Sequence, residues 1–330
     1  MSEIQKFLFD GLPVRGAIVR VDHAWQEVLR RRAANTETGP YPPDVTRLLG
    51  EMAAAGLLLQ SNINFEGALV LQIQGDGPLR LAVAEVQSNL EFRVTANLDP
   101  SQREALAEGC DLATLVNQHG QGRCAITLDA DDKRPGYRPY QGIVSLCDEQ
   151  GETLPDLAAI LQQYMRQSEQ LDTVIVLAAD AQVAAGLLIQ RIPVKGEANL
   201  AGRQLDTEAT DALGQNEDFN RIATLAASLR QDELLGLDSE AILHRLFWQE
   251  PLMRIGTNAA APAFACRCNR ERVATMLRTL GAEEVEGIVA ERGLVEIGCD
   301  FCGQQYRFDA VDVGRLFSPL ASPPGSEHLQ

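Results

Sequence analysis

The C-terminal part of this chain is defined by Cys266-Arg267-Cys268 and, beyond residues 269–298, by Cys299-Asp300-Phe301-Cys302-Gly303. Each cysteine pair brings two sulfurs close together along the backbone. Thiolate is a soft ligand, and four thiolates favour tetrahedral zinc. We therefore predict one zinc ion bound by Cys266, Cys268, Cys299 and Cys302. Gly303 is expected to relieve the backbone of the second pair, where amides turn toward sulfur.

The segment between the two pairs has helical spacing. Asn269 is placed to cap a helix that ends at Gly281. Its expected buried face is Val273, Met276, Leu277 and Leu280, and a second short helix repeats the spacing at Val285, Ile288 and Val289. Strands are expected at residues 294–297 and 305–308. So small a module cannot hold itself together by core burial alone, and structural zinc contributes about 10–16 kcal/mol in such modules. Removal of the metal is therefore expected to unfold it.

The N-terminal half mixes strand and helix patterns. Alternating residues predict strands at 69–73 and 79–83, separated by the turn residues 74–78, and β-branched runs predict strands at 174–177 and 187–189. Helices are expected at residues 44–59 and 154–165. Interspersed strands and helices predict an α+β domain with a largely antiparallel sheet.

A change in composition marks a linker. Residues 194–216 are polar and acidic, with little periodicity. After them, Phe219, Ile222, Ala226 and Leu229 share one helical face, and Asp238 is placed to cap a helix with Ile242, Leu243, Leu246 and Phe247 on its apolar side. Residues 257–262 are a second loose connector. We therefore predict an N-terminal α+β domain at 1–193, a linker with amphipathic helices at 194–260, a zinc-binding domain at 261–320 and a tail at 321–330.

Charge and composition exclude several classes of function. The 330 residues are 45% hydrophobic, with 29 basic and 46 acidic side chains and a net charge of −17. Such a surface repels phosphate backbones, so we expect no nucleic-acid partner. No run approaches the roughly 20 apolar residues that span a bilayer, and no signal pattern opens the chain, so we expect a cytoplasmic protein without a membrane partner. No catalytic arrangement is present, and we expect no enzyme activity.

The cysteine spacing leaves two kinds of zinc site open. A permanent structural zinc ribbon could serve a module that binds RNA or a protein partner. Alternatively, oxidant attacks thiolate, and two close pairs can each form a disulfide and release the metal. Spacing alone shows only that this chemistry is available. Four cysteine ligands leave no open position for water, which disfavours a zinc hydrolase. The remaining cysteines, Cys110, Cys124 and Cys147, are expected to be small hydrophobes or bystanders.

With these motifs in view, the chain resembles the bacterial 33-kilodalton heat-shock protein family of redox-regulated holdase chaperones. The closest match is residues 266–273, followed by Leu280-Gly281, residues 283–285, residues 299–303 and residues 306–308. Other matching stretches are Val14-Arg15-Gly16, residues 74–78, Tyr140-Gln141-Gly142, and Tyr164 with residues 168–171. The resemblance covers nearly the whole chain.

The resemblance implies a switch, with a chaperone domain at 1–193 and a redox-switch domain at 261–320. The reduced, zinc-bound form would be inactive, and oxidation would pair Cys266 with Cys268 and Cys299 with Cys302, releasing zinc. The C-terminal module would then unfold, the linker helices at about 218–260 would lose their docking, and the active form would bind unfolding client proteins as a homodimer. The candidate client-binding residues of the linker are Phe219, Ile222, Leu225, Leu229, Leu234, Leu235, Ile242, Leu246, Phe247 and Trp248.

Overall fold

The structure, a computed structural model, describes residues 2–35, 38–102, 106, 109–132, 136–193, 214, 216–256 and 260–318. Its strands are β1 Glu3–Phe9, β2 Val14–Val21, β3 Gly67–Gln74, β4 Leu79–Gln87, β5 Glu91–Leu98, β6 Arg123–Ala130, β7 Tyr140–Ser145, β8 Thr173–Ala179, β9 Ala184–Arg191, β10 Leu252–Ile255, β11 Ala263–Phe264, β12 Val295–Gly298 and β13 Gln305–Phe308. Its α-helices are α1 His23–Ala33, α2 Pro43–Asn62, α3 Leu112–Val116, α4 Leu157–Tyr164, α5 Glu217–Ala227, α6 Gln231–Gly236, α7 Ser239–Phe247, α8 Arg270–Leu280, α9 Ala282–Arg292 and α10 Ala310–Phe317. A π-helical turn, Met165–Glu169, continues α4.

Two sheets form the larger part of the molecule. The five-stranded sheet has the order β10-β1-β2-β9-β8, and the six-stranded sheet has the order β11-β5-β4-β3-β6-β7. Among the described strands, every pairing in these sheets is antiparallel except that of β11 with β5. The prediction of an α+β fold with a largely antiparallel sheet is therefore confirmed.

Helix α2 lies between the two sheets and packs against strands of both. Pro43 occupies its first turn, where a missing N–H costs nothing. Every residue from Leu48 to Gln60 is buried, as expected of a helix with an apolar layer on each side. The predicted helix at 44–59 is thus confirmed and runs a few residues further.

The opposite face of the five-stranded sheet is covered by the linker helices α5, α6 and α7. Side chains from β1, β2, β8 and β9 share one buried cluster with these helices. All eight residues of β9 are buried, because β9 is covered by α2 on one face and by the linker on the other. The predicted cap at Asp238 is present, since its side chain accepts a hydrogen bond from the Ala241 amide.

The chain folds as two compact units, Met1–Ala265 and Cys266–Gln330. In the second unit, α8, α9, α10 and the β12–β13 hairpin surround a small core of Ala274, Leu277, Val285, Val295, Phe308 and Val313. The linker helices belong to the first unit. The four-part division inferred from the sequence stays a prediction.

One prediction for the second unit was wrong. Met276 and Leu280 are 44% and 54% exposed, not buried. Helix α8 meets the core along the row of Ala274 and Leu277, with Val273 partly buried beside it. Because the core is only one residue row wide along this helix, the flanking apolar residues remain in solvent.

The prediction that residues 194–216 form an irregular linker falls almost entirely outside the described residues, as do residues 257–259 of the second connector and the tail. Within the described part of the chain, no helix combines the length and the hydropathy needed to cross a bilayer.

Candidate functional site

The four predicted ligands are brought together by two short segments of the second unit. Cys266 and Cys268 immediately precede α8, and Cys299 and Cys302 lie in the turn between β12 and β13. All four sulfurs lie within 4.8 Å of one another. Close sulfur–sulfur approaches join the two pairs, at 3.7 Å between Cys266 and Cys299 and 3.3 Å between Cys268 and Cys302.

The backbone of each pair is shaped to present amides to sulfur. The Cys266 sulfur accepts a hydrogen bond from the Cys268 amide, and the Cys299 sulfur accepts from the amides of Phe301 and Cys302. Gly303 has φ +73°, and its amide closes the turn onto the Cys299 carbonyl at 2.8 Å. An L-residue rarely adopts this conformation, so the expected role of Gly303 is confirmed.

Two of the thiols are disfavoured as thiolates when no cation is near. Burial raises the pKa of Cys299 to about 11, and the neighbouring Cys266 adds to the rise while two amides oppose it. Burial also raises the pKa of Cys302 well above its usual range. Burial acts in the same direction on Cys266, but hydrogen bonds from Cys268 and the other thiols leave its pKa below its usual value. Four thiolates this close together therefore need a multivalent cation.

The donor set fits such a cation. Zinc–sulfur bonds of about 2.3 Å in a tetrahedron place neighbouring sulfurs about 3.8 Å apart, and the Cys266–Cys299 distance of 3.7 Å is close to that edge. A four-cysteine group that can hold a metal ion is thus present. No position remains for a fifth protein ligand or a catalytic water in a closed tetrahedral site.

Residues outside the four cysteines hold the site in place. The Asn269 side chain caps α8 by accepting from the Arg272 amide at 2.8 Å, as predicted. The Tyr306 hydroxyl donates a hydrogen bond to the Cys268 sulfur at 3.1 Å. Arg270 stacks 4.1 Å from the Phe308 ring and pairs with Asp312 at 2.7 Å. The roles of Tyr306 and Arg270 were not predicted, because they depend on which side chains the hairpin and α10 place beside the site.

The candidate client-binding residues of the linker are mostly hidden in this form. Exposure is 5% or less for Phe219, Ile222, Leu229, Leu234, Ile242, Leu246 and Phe247, and Leu225 and Leu235 pack partly buried against the same cluster. Trp248 differs, since it is 68% exposed at the end of α7. Nine of the ten residues are therefore docked, and Trp248 is not.

Aromatic and polar contacts dock the linker on the sheet. The Phe247 ring packs edge-on against Phe9, with 5.0 Å between centroids. The Arg20 guanidinium, from β2, donates to the carbonyls of Leu234, Leu235 and Leu237 at 3.2, 2.8 and 3.2 Å. The Ser239 hydroxyl donates to Glu3 at 2.6 Å. Arg20 satisfies carbonyls at the end of α6 that no further helical turn can reach, and no local sequence pattern indicated this role.

Comparison with known proteins agrees with this architecture. A family model described as Hsp33 protein matches residues 2–309. The 33 kDa chaperonin of Chromobacterium violaceum is 40% identical over 96% of this chain and 94% of its own length. That of Methylobacillus flagellatus is 38% identical over 99% of this chain and 98% of its own, and that of Neisseria meningitidis serogroup A is 39% identical over 94% and 90%.

A solved structure shows the same fold. The crystal structure of the 33 kDa chaperonin from Thermotoga maritima superposes with a TM-score of 0.68, covering 95% of this chain and 97% of that one at 21% identity. These names describe chaperones and not enzymes. The family match over almost the whole chain, together with relatives near 40% identity, shows that this chain belongs to the Hsp33 family of chaperones.

Proposed function

We propose that this chaperone is a holdase switched by oxidation at the four-cysteine centre. In the reduced form Cys266, Cys268, Cys299 and Cys302 would hold one Zn²⁺, and the linker helices would stay docked. Under oxidative stress the protein would bind unfolding proteins and prevent their aggregation. The observation that carries the proposal is the closed group of four sulfurs within 4.8 Å, in a unit whose apolar core is too small to fold alone.

The chemistry needs only thiolates and a peroxide. A thiolate attacks one peroxide oxygen and becomes a sulfenic acid, and hydroxide leaves. A second thiolate then displaces hydroxide from that sulfur to form a disulfide, so that two sulfurs lose two electrons and the peroxide becomes two waters after protonation. The family resemblance favours Cys266–Cys268 and Cys299–Cys302 as the disulfides. Each disulfide would remove two anionic ligands from the zinc. Release of the zinc would then remove the cross-link that it supplies to the second unit.

Docking of the linker supplies the second half of the switch. Phe264 of β11 lies two residues before Cys266 in the chain, and β10 connects back to α7. Unfolding of the second unit would leave the segment from β10 to β11 without a folded domain at its C-terminal end. Release of α5–α7 would expose two apolar surfaces together, the helix faces and the sheet face that includes Phe7, Phe9 and Ile189. Such surfaces are what a chaperone needs for binding unfolded chains.

The remaining features of the proposal concern partners and location. We propose that the oxidised form is a homodimer, that its partners are unfolded clients and neither nucleic acid nor membrane, and that it works in the cytoplasm. The net charge of −17 supports the absence of a nucleic-acid partner. The same charge keeps a protein soluble while it exposes apolar surface.

The test is an aggregation assay on chemically denatured citrate synthase, with zinc release followed by a chromogenic chelator. Reduced protein is expected to leave aggregation unchanged, and peroxide-treated protein at raised temperature is expected to suppress it as zinc is released. The double variant Cys266→Ser, Cys268→Ser is expected to lose the dependence on peroxide. Zinc that stays bound while other thiols react would contradict the switch and favour a permanent structural zinc ribbon.

A further inference from the structure

Strand β7 forms an open edge of the six-stranded sheet. Among the described strands it pairs with β6 alone, on one side. Within the part of the chain that the structure describes, no other group hydrogen-bonds to the backbone of Tyr140–Ser145. In an antiparallel strand every second residue directs its N–H and C=O away from its neighbour. The outer side of β7 therefore offers backbone donors and acceptors to another extended chain.

This edge lacks the protection that sheet edges usually carry. Natural edges are blocked by charged residues, by proline or by a covering element. The sequence Tyr140-Gln141-Gly142-Ile143-Val144-Ser145 contains neither charge nor proline. At the edges of the other sheet, β10 carries Arg254, and the Ile175 amide of β8 is bonded by the Gln162 side chain at 3.2 Å. Among the residues that the structure describes, the β7 edge is therefore open, whereas the edges formed by β10 and β8 are guarded.

Apolar side chains stand on both faces of this edge. Ile143 is 61% exposed and Tyr140 is 51% exposed, and their odd spacing places them on opposite faces of the strand. Tyr140 is fixed, because its hydroxyl donates to Glu169 at 3.0 Å. Gly142 lies under the Tyr164 ring, where a Cβ would stand 2.4 Å from a ring carbon. An incoming strand would thus meet a rigid edge with apolar contacts above and below.

A cavity lies behind Tyr140, where α2 ends at Asn62 between the two sheets. Its volume is about 130 Å³. Tyr140 and apolar side chains such as Leu69, Ile126 and Leu188 form most of its wall, and Arg15, Glu169 and Gln190 form a polar part of it. A buried apolar cavity of about 150 Å³ can hold benzene. The cavity therefore has the size of one aromatic or branched aliphatic side chain.

We propose that the β7 edge is a docking site for an extended apolar segment of an unfolded client, which adds as a further strand and places one side chain in the cavity beside Tyr140. The inference rests on the proposed holdase function and specifies that the holdase recognises the extended backbone of its client. Pairing through main-chain hydrogen bonds is largely independent of sequence, and a side-chain pocket adds affinity. This combination suits a protein that must hold many different clients.

A second copy of this chain fits the edge less well. Beyond Gly142 on the inner face, the side chains are Val144 and Leu146, which are 5% and 0% exposed in their own core. The remaining side chain on this face, Tyr140, is held by its hydrogen bond to Glu169, so a partner's β7 has no free side chain to place in the cavity.

Hydrogen exchange tests the docking site in the full-length oxidised protein. Upon addition of denatured citrate synthase, the amides of residues 140–145 are expected to exchange more slowly, with little change in the central strand β3. Unchanged exchange in β7, with protection confined to residues 217–247, would overturn the inference. Protection of β7 that grows with protein concentration in the absence of client would also overturn it, in favour of self-pairing.

A matched pair of lysine variants gives the second measurement. Ile143→Lys places a charge at the edge, and Ile255→Lys makes the same substitution on strand β10 of the other sheet, where Ile255 is 39% exposed. Ile143→Lys is expected to weaken client binding about tenfold, or about 1.4 kcal/mol, with zinc release unchanged, whereas Ile255→Lys is expected to bind like the unmodified protein. Equal loss in both variants, or no loss in Ile143→Lys, would overturn the inference. Failure of the unmodified oxidised protein to bind client would instead contradict the proposed holdase function.

Discussion

At the scale of single residues, the hydrogen bond from Tyr306 to Cys268 bears on how fast the centre reacts. A hydrogen-bond donor at 3.1 Å from the sulfur occupies a lone pair with which that sulfur would attack peroxide, and so lowers its reactivity. Tyr306→Phe removes the hydroxyl and keeps the ring. We expect thiol oxidation and zinc release by peroxide to become roughly two- to tenfold faster.

Stopped-flow measurement with a chromogenic zinc chelator gives these rates. Tyr137→Phe is the control, because it removes a hydroxyl that bonds the Leu128 carbonyl in the first unit, at 3.1 Å. Rates for Tyr306→Phe that equal or fall below those of the control would show that the hydroxyl does not restrain Cys268.

Glu51, a buried carboxyl of α2, makes the first unit sensitive to pH. Burial raises its pKa to about 7, although Arg47 acts in the opposite direction. The ordinary value of 4.5 applies to the unfolded chain, so the folded state binds the proton more tightly. Stability is therefore lost as pH rises from about 4.5 to about 7, and the loss is complete above that range.

Glu51→Gln removes this pH dependence. At pH 8 we expect the variant to be more stable than the unmodified protein by up to about 3 kcal/mol, and at pH 4 to differ little. Urea unfolding followed by the fluorescence of buried Trp25, which is 0% exposed, measures this. The control Glu27→Gln is expected to be less stable than the unmodified protein at neutral pH, because hydrogen bonds from Arg30 and Arg31 lower the pKa of Glu27 to about 2. A Glu51→Gln variant less stable at pH 8 would contradict this role of Glu51.

At the scale of elements, docking of α5 controls exposure of the linker. Ile222 is 0% exposed in the cluster shared with the sheet. Ile222→Ala creates a cavity there, with a typical cost of about 2–5 kcal/mol. We expect part of the linker to undock without oxidant, so that the reduced variant suppresses citrate synthase aggregation.

The control for this variant lies on the same helix. Thr224 is exposed, and Thr224→Ala is expected to leave the reduced protein inactive. Hydrogen exchange across residues 217–247 reports docking directly. If Ile222→Ala undocks the linker yet the reduced protein remains inactive, linker release is not sufficient for client binding.

The elements also show what could be predicted from the sequence. Helix α2, strand β13 and the caps at Asn269 and Asp238 followed from local patterns, because capping residues and periodicity act within a few positions. The exposure of Met276 and Leu280 did not follow, because it depends on how narrow the core of the second unit is. The sheet order, and the use of Arg20 to hold α6, depend on contacts between residues distant in the chain, more than 200 positions apart for Arg20 and Leu234.

At the scale of the whole molecule, the two units differ in what stabilises them. The first contains two sheets around a helix whose residues 48–60 are all buried, whereas the core cluster of the second has six buried apolar side chains among the described residues. Removal of metal by a strong chelator from the reduced protein is therefore expected to unfold residues 266–318 and leave the first unit folded. NMR signals of Leu277 and Val285 against those of Leu49 and Leu71 would report this. Persistence of the folded second unit without metal would contradict a structural role for zinc.

The candidate site was predictable from sequence to an unusual extent, for a physical reason. Metal ligands must lie close together in space, so paired cysteines in a sequence indicate a metal site. Most other kinds of site leave no such local pattern. The edge strand β7 was not disclosed in this way. Residues 140–142 were recognised as a family landmark, but an open edge is a property of sheet order and appears only in the fold.

Control of the linker by the four-cysteine centre can be measured by hydrogen exchange of the full-length protein during peroxide oxidation, with zinc release followed in the same sample. We predict that amides of residues 217–247 and 266–318 lose protection as zinc is released, while β3 and α2 keep theirs. Complete zinc release with residues 217–247 still protected would contradict the switch, because the four-cysteine centre would then not control the linker.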